Sequence, residues 1–243
     1  MQSIFLKEVN AFFSSLIGYI VVGVFLVITG LILFVFPDTS LLNVNYASLG
    51  PLFEIGPMVF LFLIPAVTMR SFAEEYQSGT IELLATRPIT SLQIILGKYL
   101  ACIVLVLFAL IPTLLYYYTV YQLGSPVGNI DGGAVLGSYI GLFFLAAAYV
   151  AIGLFASSLS NNQIVAFLLA TFLAFFLYYG FDFLSRLPGL VGKVDDVVQM
   201  FGIDYHYRSI SRGLIDSRDI VYFLSVIALF LGLTLFSMER RKW

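Results

Sequence analysis

An uncharged run of 26 residues, Ala11–Phe36, places the first constraint on this chain. As a helix rising about 1.5 Å per residue it reaches about 39 Å, enough to cross a hydrocarbon core of about 30 Å with tilt to spare. Five more segments have the same apolar character: Pro51–Met69, Ile94–Val120, Gly133–Leu159, Gln163–Leu184 and Ile220–Phe236. Inside a bilayer every backbone N–H and C=O must find its partner within the chain, so runs of this length become helices. Composition agrees: 60% of residues are hydrophobic and 11% charged, where a soluble domain carries about 25% charged residues. The expectation is an all-α integral membrane protein of six spans forming a single domain over 1–243. Its N-terminal run is too long for a cleaved signal and reads as a retained span.

Lys and Arg set the orientation. With the N-terminus inside, Lys7, Arg70, Arg87, Lys98, Arg240, Arg241 and Lys242 fall on the cytoplasmic side, seven of the twelve. The other five, Arg186, Lys193, Arg208, Arg212 and Arg218, share one long loop, 185–219. Both termini are therefore expected to be cytoplasmic. The first ten residues mix Ile4, Phe5, Leu6 and Val9 with Lys7 and Glu8, which suits an amphipathic helix on the inner leaflet.

Several function classes fall away. The single histidine, His206, leaves no HExxH motif and no histidine-based triad, and it reads as an exposed polar residue. Gly-Lys occurs at 97–98 and 192–193, but neither pair has the spacing of a phosphate-cradling GxxxxGK[ST] loop. No metal or cofactor site is expected in this chain. Cys102, the single cysteine, reads as small apolar filler. A net charge of -2 gives no reason to expect nucleic acid as a partner. Glu54 and Asp182 are the charges noted at span edges, too few for a proton relay, which disfavours an ion-coupled carrier. Gly133, Gly137 and Gly141, spaced four apart, form a smooth strip for helix packing within the chain or across a dimer. Pro65 and Pro112 are candidate kinks.

Between the second and third spans lies SFAEEYQSGTIELLATRPIT, Ser71 to Thr90. Ser71 and Glu74 match a capping box, and Thr90 with Gln93 matches a second. A short amphipathic helix is expected from Ser71, weakened or bent at Gly79 and stopped at Pro88.

The stretch EEYQSGTIELLATRPITSLQIILGKYL, residues 74–100, resembles the corresponding segment of ABC-2 type exporter permeases, and KEVNAFFSSLIGYI at 7–20 fits the same family. Within it, LFASSLSNNQIVAF at 154–167 and SISRGLIDSRDIVYFLS at 209–225 resemble the permease subunits of gliding-motility transporters. The resemblance implies a permease that pairs with a second permease subunit in the lipid bilayer. It also implies an ATP-binding-cassette ATPase subunit that binds the ATP and Mg²⁺. It makes the segment after the second span a coupling helix, with Phe72, Glu74, Glu75, Tyr76, Gly79, Thr80, Glu82, Leu83, Leu84 and Pro88 as the ATPase-facing set. It also implies short helical elements in 188–216 at the outer face. A membrane scaffold that moves no cargo is the alternative from a different class.

Overall fold

The computed structural model describes the chain apart from residues 38, 44–45, 82–88, 190–191, 193 and 242–243. Secondary structure among the described residues is entirely helical. Helix α1 (Gln2–Ser14) is followed by α2 (Leu16–Phe34), α3 (Gly50–Thr68) and α4 (Arg70–Ser78). Next come α5 (Ser91–Leu110), a 3₁₀ turn (Ile111–Thr113) and α6 (Leu114–Leu123). Then follow α7 (Gly132–Leu159), α8 (Gln163–Phe175), a π turn (Phe176–Gly180) and α9 (Phe181–Ser185). The short α10 (Asp195–Gln199) and α11 (Ile203–Ile210) precede the long α12 (Ser217–Arg240).

Five stretches are long and apolar enough to cross a membrane: Gly50–Gln77, Ser91–Leu123, Gly132–Leu159, Gln163–Ser185 and Ser217–Arg240. A sixth candidate is α1 and α2 taken together, a pair bent by 65° at the break between them. The first apolar run therefore does not form one long span. It divides at Ser15, whose extended backbone ends α1. Helix α2 starts at Leu16, not Ala11, and α1 runs beyond the expected ten residues. The 19 residues of α2 still reach about 28 Å.

Pro112 does break its span: its missing N–H and ring favour the 3₁₀ turn between α5 and α6. Pro65 leaves α3 continuous. At the start of α5, the Gln93 N–H donates to Thr90 Oγ1 while the Thr90 N–H donates to Gln93 Oε1, each at 3.3 Å, so the second expected capping box is present.

Helix α7 is the pillar, touching α3, α4, α5, α8, α11 and α12. Within the span's most apolar window 78% of it is buried in the chain, against 28% for the α8–α9 span and for α12. Its sequence explains this. Ala146, Ala147, Ala148, Ala151, Gly153 and Ala156 are all buried, and small side chains let neighbouring backbones close in. A methyl on Gly153 would run into Thr68 Oγ1 of α3. Gly137 and Gly141 work the same way at the other end of α7. A Cβ on Gly137 would meet the Gly213 carbonyl oxygen at 2.7 Å, and one on Gly141 would strike Ile210. These two glycines thus face the chain's own α11 and the turn after it, while Gly133 is exposed.

Both ends of the chain lie on one face. Arg241 donates to Asn161 Oδ1 at 2.8 Å and to the Leu159 carbonyl, and its guanidinium sits 4.5 Å from the Tyr76 ring centre. Helices α1 and α4 meet on that same face through Lys7 and Glu75. Residues 195–210 occupy the opposite face.

Candidate functional site

Helix α4 continues from α3 through Met69, whose own φ and ψ are helical, so Ser71 is not its N-cap. The expected Ser71–Glu74 box does not form because Ser71 is already inside the helix. The free N–H groups at this break are satisfied from 85 residues away: Ser157 Oγ, on α7, accepts from Phe72 N at 3.0 Å and from Ala73 N at 3.1 Å. The same hydroxyl donates to the Met69 carbonyl at 2.9 Å. One buried serine therefore caps α4 and joins it to the pillar. At the other end, Gly79 takes φ +71°, a left-handed conformation that stops the helix. Gly79 thus ends α4, while the expected stop at Pro88 lies outside the described residues.

Four charges close around α4. Lys98, two turns into α5 and 1% exposed, has its ammonium 2.8 Å from Glu8 Oε1 and 2.9 Å from Glu75 Oε1. It also donates to the Ser71 carbonyl at 2.6 Å. These three oxygens use all three ammonium donors. Lys7 adds contacts to Glu75 at 2.9 Å and Glu8 at 3.4 Å. The ammonium of Lys98 also lies 5.2 Å from the Phe72 ring centre. Two cations and two carboxylates thus lock α1, α4 and α5 together with no net charge. A cavity of about 330 Å³ opens beside them, bordered by Arg70, Glu74 and Thr80.

This arrangement sorts the residues expected to meet an ATPase. Phe72 and Glu75 are buried and face the chain's own helices. Glu74, Gly79 and Thr80 are exposed, and Tyr76 is half-buried under Arg241. Glu82, Leu83, Leu84 and Pro88 lie outside the described residues. Lys98, expected among the cytoplasmic loop cations, is instead the buried centre of this clasp. A lysine inside SLQIILGKYLACIV was the available signal, because an ammonium flanked by apolar residues requires a carboxylate. Its partners, 90 and 23 residues away, were not identifiable from spacing.

The opposite face carries a second polar group. His206 is not an exposed bystander: its Nδ1 lies 2.7 Å from Asp219, its Nε2 lies 3.0 Å from the Met200 carbonyl, and its ring stacks on Tyr222 at 3.9 Å. Asp182 pairs with Arg186 at 2.7 Å, and Asp204 pairs with Arg208. The hydrogen bond to Asp204 holds the Arg208 guanidinium above its ordinary pKa. Tyr207 is buried, which pushes its phenol up, and its hydroxyl donates to the Phe53 carbonyl at 2.7 Å. Among the described residues no group of three or more His, Cys, Asp or Glu side chains is placed to hold a metal ion.

Comparison with known families gives one match, to the model described as ABC-2 family transporter protein, over residues 39–236. The chain belongs to the ABC-2 transporter family. That match covers five of the candidate crossings, the whole of α4 and the short elements α10 and α11. As an ABC-2 membrane domain the chain is the permease component of a transporter, a multi-pass membrane protein. Comparison with individual curated proteins returns no significant match.

Proposed function

We propose that this ABC-2 permease is the transmembrane half of an exporter driven by a separate ATP-binding-cassette ATPase, and that α4 receives the push. The whole chain acts as one permease domain, and the face holding α1, α4 and both termini is cytoplasmic. The supporting observation is the mounting of α4. Ser157 ties its start to the pillar, and Lys98 and Glu75 tie its middle to α5 and α1. A helix held at so many points cannot absorb a displacement locally, so force on its exposed side passes to α1, α5 and α7 together. The side left open, with Glu74, Gln77, Ser78, Gly79 and Thr80, is where the ATPase docks. ATP and Mg²⁺ belong to that partner.

A second permease subunit completes the pathway. The apolar faces of the α8–α9 span and α12, little buried within the chain, suit contact with that subunit or with lipid. The stretches 154–167 and 209–225 favour a gliding-motility role for the exporter. The test is co-reconstitution. An ATPase co-purified with the wild-type chain should hydrolyse ATP faster in the presence of the permease and drive cargo uptake into inverted vesicles. The triple variant Glu74→Arg, Gln77→Arg, Thr80→Arg should insert normally and lose both. Stimulated hydrolysis that survives this variant would refute α4 as the input. Stimulated hydrolysis without uptake of any cargo would favour a scaffold.

A further inference from the structure

The face opposite α4 holds a cavity of about 620 Å³ between the π turn, α10, α11 and the start of α12. Its charges are not equally available. Asp182 and Asp204 are paired with Arg186 and Arg208, and Asp219 shares a hydrogen bond with His206. Asp216 caps α12, accepting the Arg218 backbone N–H at 2.9 Å. Two guanidiniums remain. Arg212 donates from Nε to the Arg208 carbonyl at 3.0 Å, and among the described residues its terminal nitrogens meet no carboxylate. Arg218 has no side-chain hydrogen bond or ion pair among the described residues. Both line the cavity, both are exposed, and the planar fork of each matches phosphate oxygens two at a time.

The surroundings name the carrier of that phosphate. Val197, Met200, Phe201, Tyr205, Leu214 and Ile215 border the charged region and are 44 to 64% exposed. In water such a group of side chains would be a liability; at the end of a membrane-spanning bundle they reach the acyl chains. The π turn adds a third feature. Its extra residue accompanies a buried Tyr178 that forms part of the cavity wall, and such turns recur at functional sites.

We propose that this cavity binds the phosphodiester headgroup of a membrane phospholipid. The phosphate lies between Arg212 and Arg218, and the acyl chains run along the exposed apolar side chains of residues 197–215. The end of α11 and the turn after it pack on the pillar, Ile210 against Gly141, Gly213 against Gly137 and the Ser211 carbonyl accepting from Ser138, so bound lipid fastens the start of α12 to an element already seated on α7. The inference rests on the membrane fold and does not depend on how α4 is driven.

The test uses the full chain in mild detergent, titrated with phosphatidylglycerol and, separately, with a phosphate-free glycolipid. Native mass spectrometry reads the bound lipid. Phosphatidylglycerol should remain bound under activation that strips the glycolipid. The double variant Arg212→Gln, Arg218→Gln should hold it at least about tenfold more weakly, while Arg240→Gln, on the other face, should not change it. Equal retention of the two lipids by the wild-type chain overturns the proposal, and this arm needs no variant to fold. Displacement of the bound lipid by millimolar inorganic phosphate would show a simple anion site and overturn the assignment to lipid.

Discussion

Replacing Lys98 by Met tests the clasp with little change of shape, because the unbranched side chain fills nearly the same volume. The ammonium is 1% exposed and engages Glu8, Glu75 and the Ser71 carbonyl. With Lys7 the cluster carries two positive and two negative charges; Lys98→Met leaves it at -1. Removing one partner of a buried ion pair costs about 3–5 kcal/mol. Lys7, whose side chain is 56% exposed, still touches both carboxylates, so the low end applies, about 3 kcal/mol. A domain of this size loses about 2–4 °C of Tm per kcal/mol, which gives a fall of about 6–12 °C. Thermal unfolding in detergent, followed by size-exclusion chromatography of the heated protein, reads it. The double variant Glu75→Gln, Lys98→Met restores neutrality and should recover about half of the loss or more. Wild-type melting of Lys98→Met, or a double variant that melts below the single one, would refute the clasp.

Ser157→Ala removes the shared acceptor of two buried N–H groups and should cost about 2 kcal/mol; the same melting assay checks it, with faster hydrogen exchange at Phe72 and Ala73 as the local readout. Gly153→Ala drives a methyl into Thr68 and should destabilise the α3–α7 contact by about 1–3 kcal/mol, with part of the loss recovered by adding Thr68→Ala. Tyr149→Phe should go the other way. Its hydroxyl is buried and meets no partner among the described residues, so removing it should leave Tm unchanged or raise it.

Much of the architecture was legible because the bilayer permits so few solutions. Helices begin and end within a few residues of five of the six apolar segments, and the Thr90–Gln93 box sits where the spacing placed it. Three departures share one physical cause: each concerns a polar group whose partner is distant in the chain. Ser71 looked like a cap because Glu74 follows at capping distance, yet the cap is Ser157. Lys98 looked like a loop cation because its carboxylates belong to α1 and α4. His206 looked solitary because Asp219 and Tyr222 reach it from α12. The division at Ser15 was hidden differently, since hydropathy measures how apolar a run is and says nothing of its direction. Periodicity reports local geometry well and carries no information on long-range pairing, which is where the candidate site is built.

The central claim is that a separate ATPase engages the exposed side of α4. A photo-reactive amino acid placed at Gln77, on the exposed side, and in a second sample at Phe72, on the buried side, measures this in intact cells. The account predicts that Gln77 cross-links to an ATP-binding-cassette ATPase and that Phe72 cross-links only within the chain. No ATPase adduct at Gln77 from a normally inserted protein, or equal adducts from both positions, would contradict it.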